Sequence, residues 1–186
     1  MRRGVAGGSA AADPPRYHAG MSQALSSPDP RITLRCATEG DVGLLLDFVR
    51  QLADYEKLSH EVVADEATLR ASLFTGRRVA EVVIASWEGE PAGFALFFHN
   101  FSTFLGRPGL YLEDLFVVPR LRGHGIGQVL LRCLAKITVA RGCGRFEWSV
   151  LDWNVDAIRF YERLGARPMD GWTIFRVTGQ ALENLA

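Results

Sequence analysis

The sequence predicts an α+β domain (α/β in a looser naming) in which a mixed, mainly antiparallel central sheet is flanked by helices. Two observations carry this prediction. Three strand-like segments follow one another between residues 78 and 118 with only short loops, which is typical of an antiparallel meander. A strand, a helix and another strand come next, an order that is typical of a parallel crossover. From residue 31 the predicted order is β-α-α-β-β-β-α-β-α-β, closed by a short helix.

Local signals place each element in turn. Strands are predicted where apolar and polar residues alternate, and helices where apolar residues recur every three or four positions. Thr38 or Asp41 caps the first helix, Asn154 caps a later one, and Gly142 and Gly165 end theirs. The strands fall at residues 31–36, 78–86, 93–100, 110–118, 146–151 and 172–177. The helices fall at residues 38–57 or 41–57, 65–74, 125–141, 154–164 and 178–185.

Residues 1–30 differ from the rest of the chain. They contain four of the eight prolines and one aromatic residue, Tyr17. Such a segment buries too little apolar surface to offset the entropy lost on ordering. We therefore predict a disordered N-terminal tail, followed by a single domain at residues 31–186.

Composition and charge argue against several classes of protein. The 21 basic residues balance the 21 acidic ones, and a net charge of zero argues against electrostatic binding to nucleic acid or to an anionic membrane. No apolar run approaches the ~20 residues of a membrane-spanning helix. The three cysteines, Cys36, Cys133 and Cys143, have no CxxC spacing. They predict reduced thiols of a cytoplasmic protein, with no disulfide and no metal site.

The most informative segment is the glycine-rich loop between the strand at 110–118 and the helix that follows it. Gly123, Gly125 and Gly127 alternate with other residues, so the backbone can turn sharply and approach a ligand. Backbone N–H groups at a helix N-terminus favour an anion such as a pyrophosphate, and Arg120 and Arg122 add positive charge. No Walker A motif is present, and Gln128 breaks the dinucleotide pattern GxGxxG. A glycine-rich turn without a ligand is the structural alternative.

The spacing Arg122-x-x-Gly125-x-Gly127 resembles the pyrophosphate loop of the GCN5-related N-acetyltransferases, the GNAT superfamily, which bind acetyl-CoA. Segments at 52–56 (LADYE), 111–117 (YLEDLFV) and 151–154 (LDWN) are similar to the polyamine and diamine acetyltransferases of that superfamily, the spermidine/spermine and thialysine group. The resemblance covers residues 31–178. Residues 101–107 (FSTFLGR) resemble the thialysine-type members, which argues against long polyamines as preferred acceptors.

This resemblance implies a GNAT-like fold and an enzyme that transfers acetyl directly from acetyl-CoA to an amine, without a metal or an acyl-enzyme. Tyr161 matches the general acid that protonates the departing CoA thiolate, and Glu113 matches the carboxylate that binds the amine and takes up its proton. The positions that match acceptor contacts are Tyr55, Glu56, Glu113 and Asp170. Those that match acetyl-CoA contacts are Leu115, Phe116, Val117, Arg122, Gly123, His124, Gly125, Ile126, Gly127, Gln128, Asn154, Ala157 and Tyr161.

The residues themselves support part of this chemistry. An alkylammonium must lose a proton before its nitrogen can attack, and a nearby carboxylate can accept that proton. Glu113 and Asp114 are adjacent on a predicted strand, so they should face opposite sides, and Asp114 is expected to be a structural partner. Tyr161 lies on an apolar helix stripe, where a core role is the alternative. His99 is a candidate second proton relay, and Trp172 is a candidate wall for a cation.

The sequence therefore predicts a cytoplasmic N-acetyltransferase whose acceptor is a small diamine, a polyamine or a lysine-like amino acid. Two alternatives stay open: a member of the same superfamily that acetylates a protein amine or an aminoglycoside, and an acyl-CoA-binding module without turnover. The family commonly forms homodimers, and the aromatic strand at 94–101 is a candidate pairing surface.

Overall fold

The structure, a computed structural model, describes residues 21–186. The chain divides into two compact units, one ending at Ser149 and the other spanning Val150–Ala186. Most of the predicted tail lies outside the described residues. In the part of the tail that is described, Met21–Ala24 forms a short helix, α1, where disorder was predicted. Ala24 is buried, and this burial gives α1 an apolar anchor.

The first unit is built on one five-stranded sheet whose strands lie side by side in chain order. The first four strands are antiparallel and the last pair is parallel, which confirms the predicted meander and crossover. The strands are β1 (Ile32–Cys36), β2 (Glu81–Trp87), β3 (Glu90–Ser102), β4 (Arg107–Val117) and β5 (Phe146–Trp148).

A two-residue turn joins β2 to β3. Glu88 and Gly89 both have positive φ, 51° and 90°, as a type I′ hairpin requires. The short turn pairs Trp87 directly with Glu90. The hairpin thereby fixes the position of Trp87 at the end of β2.

The longest helices among residues 21–149 are α2 (Val42–Tyr55), α3 (Glu66–Phe74) and α4 (Ile126–Ala140). Asp65 begins α3 with a capping box, since its Oδ1 accepts a hydrogen bond from the Thr68 N–H at 2.8 Å. Before α2, Arg35 forms a bidentate ion pair with Asp41 at 2.6 and 2.7 Å. That guanidinium holds the pKa of Asp41 well below its usual range.

The core beneath the sheet is aromatic. The ring centroids of Phe48 and Phe94 lie 5.7 Å apart, and Phe116 lies 5.7 Å from Phe48. All three side chains are buried. Phe94 and Phe97 are buried in β3, which lies between two other strands, so these two residues of the suggested pairing segment at 94–101 form no exposed surface, whereas Phe101 is 60% exposed.

The second unit contains α5 (Val155–Arg163) and α6 (Gly179–Leu185). Asn154 caps α5 as predicted, because its Oδ1 accepts a hydrogen bond from the Ala157 N–H at 3.3 Å. The strand predicted at 172–177 does not form, and no residue after Trp148 in the described chain is in a strand. An alternating segment becomes a strand only when a neighbour satisfies its backbone, and these residues pair with no strand.

An ion pair ties the end of α4 to β2. The Arg141 guanidinium donates to both Glu81 oxygens at 2.5 and 2.7 Å, and the Arg141 side chain is only 3% exposed. His99 lies beside this pair, with Nε2 3.5 Å from Arg141 Nη1. Burial, then the Arg141 charge, lowers the pKa of His99.

We expect Glu81→Gln to lower the free energy of unfolding by about 2–4 kcal/mol, because it leaves a buried guanidinium without its carboxylate partner. The exposed pair Arg70–Glu39 supplies the control: Glu39→Gln should cost less than about 1 kcal/mol. Urea denaturation of both variants at pH 7.5 measures the difference. Equal losses in the two variants would contradict a special role for the buried pair.

Candidate active site

The glycine-rich loop has the geometry of an anion site. Gly123 and Gly125 adopt φ of 84° and 81°, a left-handed conformation that costs other residues about 1–2 kcal/mol. A Cβ at either position would meet no atom within 4 Å, so the backbone angle, and not crowding, requires glycine. Gly125 caps α4 without a side-chain hydrogen bond. The first N–H groups of α4 therefore face a space that an anion can fill.

The predicted acetyl-CoA contacts differ in how far their side chains are exposed, and Leu115, Val117 and Gln128 are half-buried. Phe116 and Ile126 are each 1% exposed and belong to the core, so only their backbone atoms are available to a ligand. Arg122 and His124 are exposed and extend from the loop. The pyrophosphate contacts predicted for the loop therefore depend on main-chain N–H groups and on these two side chains.

Arg122 contacts a predicted acceptor-site residue. Its Nε donates to the Val117 carbonyl at 3.2 Å, and its guanidinium carbon lies 4.2 Å from the centre of the Tyr55 ring. His124 lies against β2: its ring centroid is 4.7 Å from that of Trp87, at an interplanar angle of 65°. Its Nδ1 lies 3.3 Å from the Leu121 carbonyl oxygen.

A bulge interrupts β4 beside this loop. Asp114 pairs with Leu96 and Leu112 pairs with Phe97, so Glu113 has no opposite residue in β3. The prediction that Glu113 and Asp114 face opposite sides depended on regular alternation, and the bulge removes that basis. Sequence periodicity could not reveal it, because a bulge is a property of two paired strands.

The other edge of β4 opens at the same point. β5 pairs with β4 only from Leu110 to Leu112 and then ends. Among residues 21–186, the segment of β4 from Glu113 to Val117 has a strand partner on its β3 side alone. Backbone groups on the open edge can therefore pair with an extended ligand, as was predicted for Leu115, Phe116 and Val117.

Three carboxylates come together at the bulge. Burial, followed by the charges of Glu113 and Glu56, raises the pKa of Asp114 to about 6. Burial also raises the pKa of Glu56. Asp114 forms no hydrogen bond or ion pair with another side chain among residues 21–186 in the described contacts, so the structural partnership expected for it is wrong. A half-buried carboxyl group beside two further carboxylates is suited to bind a cation.

The remaining predicted residues lie in the second unit or outside the loop. Asn154 and Ala157 form the α5 cap, Tyr161 is half-buried with its ring 5.4 Å from that of Phe160, and Asp170 is exposed between α5 and α6. Trp172, proposed as a cation wall, is 74% exposed. His99 contacts the Arg141–Glu81 pair, so the structure gives it a structural environment and not the relay position predicted for it.

The three cysteines differ in burial, since Cys36 is exposed and Cys143 is half-buried. All three are free, and Cys133 is buried. Burial raises the pKa of Cys133 to about 12, which makes it a poor nucleophile. Among the described residues, no three His, Cys, Asp or Glu side chains are grouped closely enough to hold a metal ion. Nor does that part of the chain contain a helix long and apolar enough to span a membrane.

Comparison with known proteins agrees with this geometry. Residues 48–166 match the acetyltransferase (GNAT) family. The chain belongs to this family. A thialysine N-epsilon-acetyltransferase from Sus scrofa is 40% identical over 168 residues, covering 83% of this chain and 97% of the relative. An L-ornithine N5-acetyltransferase from Arabidopsis thaliana is 33% identical over 195 residues, covering 81% of this chain and 86% of the relative.

The fold of this acetyltransferase is also found among solved structures. An integron cassette protein from the mobile metagenome of V. cholerae superimposes with a TM-score of 0.72 at 25% identity, covering 84% of this chain and 98% of that chain. The family match and these relatives confirm the predicted superfamily, the α+β fold and the N-acetyltransferase class.

The raised pKa of Asp114 makes a prediction about stability. A folded-state pKa of about 6, against an ordinary 3.8, means that ionised Asp114 destabilises the fold by about 3 kcal/mol above pH 6. Asp114→Asn should therefore raise the free energy of unfolding by about 2–3 kcal/mol at pH 7.5. The gain should shrink as the pH falls from 6 to 4, because wild-type Asp114 becomes protonated.

Urea denaturation at several pH values measures this gain. Glu113→Gln is the matched control: Glu113 is exposed, so its neutralisation relieves repulsion but no burial penalty, and the gain should be smaller. A gain in Asp114→Asn that does not change with pH would contradict the assignment.

Proposed function

We propose that the protein transfers the acetyl group of acetyl-CoA directly to the terminal primary amine of a small lysine-like amino acid or diamine. The observation that carries the proposal is the carboxylate cluster of Glu56, Glu113 and Asp114 at the open end of β4. A terminal ammonium group complements that charge. The thialysine and L-ornithine acetyltransferases among the relatives support an amino-acid acceptor of this kind.

Acetyl-CoA fits the loop and the strand edge. The N–H groups from Gly123 to Gln128 and the Arg122 guanidinium would hold the pyrophosphate, since the loop leaves open space and α4 has no side-chain cap. The thioester arm would pair with the open edge at Leu115–Val117. A backbone N–H there would polarise the thioester carbonyl.

The acidic cluster prepares the amine for attack. The ammonium group binds among the carboxylates, and Glu113, on the bulge, takes up its proton through water. The neutral nitrogen then attacks the thioester carbonyl carbon: a C–N bond forms, the C–S bond breaks, and the thiolate of CoA takes a proton from the Tyr161 hydroxyl. The second proton of the nitrogen leaves as the amide forms and restores the Tyr161 hydroxyl through water. Tyr161, Asn154 and Asp170 enter this proposal through their resemblance to the family's positions.

Two further parts of the proposal concern location and assembly. We place the protein in the cytoplasm, where its three free cysteines stay reduced. We also propose a homodimer with no nucleic acid or membrane partner. Exposed apolar side chains before α6 support a partner surface: they are Met169, Trp172, Ile174, Phe175 and Val177.

A thiol-release assay with an amine panel tests the function. The enzyme should release CoA thiol faster when the acceptor is lysine, thialysine, ornithine or a short diamine than when it is spermine, an aminoglycoside or a peptide N-terminus. The kcat/KM for the amine should fall as the pH drops below about 6, because Asp114 becomes protonated and the cluster loses charge. Asp114→Asn should flatten that fall. No turnover with any small amine would reject the proposal.

The role of Tyr161 has a separate test. Tyr161→Phe keeps the ring and removes the proton donor, so kcat should fall about 10²- to 10⁴-fold while CoA affinity changes little. Calorimetry with CoA and single-turnover kinetics measure the two quantities. Phe160→Leu, which alters the neighbouring ring but no hydroxyl, is the control. Unchanged turnover in Tyr161→Phe would remove the tyrosine from the mechanism.

A further inference from the structure

Two long side chains of the glycine loop rest on aromatic rings from other elements. Arg122 lies over Tyr55, the last residue of α2, and His124 lies against Trp87, the last residue of β2. We infer that Tyr55 and Trp87 form an aromatic brace that positions the loop for the pyrophosphate of CoA. This inference rests on the proposed function of the loop and deepens it. It also changes the assignment of Tyr55, which the resemblance gave to the acceptor.

The loop needs such support because its glycines supply none. Gly123 and Gly125 hold left-handed backbone angles, and nothing lies within 4 Å of the position of a Cβ at either. Glycine loses more conformational freedom on ordering than any other residue. Of the four residues from Arg122 to Gly125, only Arg122 and His124 have side chains that can attach the loop to its surroundings.

The Tyr55 contact holds the planar guanidinium of Arg122 in one orientation. The ring lies 4.2 Å from the guanidinium carbon, and Nε donates to the Val117 carbonyl at 3.2 Å. A guanidinium stacked on a ring keeps its in-plane N–H groups available for other acceptors. With Nε used by the strand end, the terminal N–H groups remain for a phosphate oxygen.

His124 is held both by a ring contact with Trp87 and by a hydrogen bond from its imidazole. His124 Nδ1 lies 3.3 Å from the Leu121 carbonyl oxygen and 3.2 Å from that of Arg122, so we assign the Nδ1 proton to these turn carbonyls. Trp87 contacts the imidazole in an edge arrangement at 4.7 Å. Trp87 is itself held, because the Arg31 guanidinium lies 4.5 Å over its ring.

Two acetyl donors separate the brace from general stability. Acetyl-CoA carries the pyrophosphate, whereas S-acetylpantetheine has the same thioester arm without it. Tyr55→Leu and Trp87→Leu should each lower kcat/KM for acetyl-CoA by about 5- to 10-fold, mainly through KM for that donor. Neither should change kcat/KM for S-acetylpantetheine or KM for the amine. Tyr55→Phe and Trp87→Phe keep a ring and should restore acetyl-CoA use to within about twofold.

Phe98→Leu is the matched control, since it removes a ring that pairs with Tyr111 at 5.2 Å and has no ring contact with the loop. It should affect both donors equally. Should Trp87→Leu fail to fold, Trp87→Met preserves more of the side-chain volume and makes the same test.

The outcomes distinguish the brace from the function on which it rests. A wild-type protein that uses both donors, with Leu variants that lose both equally or lose amine affinity, would overturn the brace alone. A wild-type protein that binds no CoA in calorimetry would overturn both. A loss confined to acetyl-CoA and rescued by phenylalanine is the result the brace requires.

Discussion

The end of strand pairing at Leu112 is the constraint on which the candidate site depends. β5 stops at Trp148, and one residue further along β4 a bulge leaves Glu113 without a partner in β3. On one side, the sheet exposes backbone groups that can pair with an extended ligand. At the bulge, it presents carboxylates within an otherwise apolar strand. One local departure from a regular sheet therefore supplies two of the features that acetyl transfer to an amine requires.

The site is maintained against the electrostatic preference of the fold. Asp114 is half-buried in a region that also contains the charges of Glu113 and Glu56. Its raised pKa means that the ionised Asp114 side chain destabilises the folded state. Phe94 of β3 and Phe116 of β4 pack with Phe48 of α2, and this apolar burial offsets that penalty. Perturbed acidic groups held by a rigid core are typical of functional sites.

Local sequence patterns predicted what depends on neighbouring residues. The helices, the cap at Asn154 and the glycine conformations in the loop all follow from signals a few residues long. The strand predicted at 172–177 failed because alternation indicates only a propensity, and pairing needs a second strand. The bulge at Glu113 was missed because it appears only when two strands are aligned.

The site was predicted in the same uneven way. The resemblance found Glu113, Glu56 and the loop, but Asp114 was assigned a structural role because regular alternation was assumed. The contact between Tyr55 and Arg122 joins residues 67 positions apart, and no local pattern could indicate it. Long-range side-chain contacts of this kind are what the structure adds to the sequence.

The tight turn at Glu88 and Gly89 fixes the register between β2 and β3. Because only two residues separate β2 from β3, the side on which Trp87 emerges is set by the hairpin register. One residue inserted into β2 ahead of Trp87 would carry the indole to the opposite face of the sheet, since side chains alternate along a strand. The sheet could keep its fold after such an insertion, but the glycine loop would lose its contact with Trp87. A change in the length of β2 would therefore also change how the loop binds acetyl-CoA.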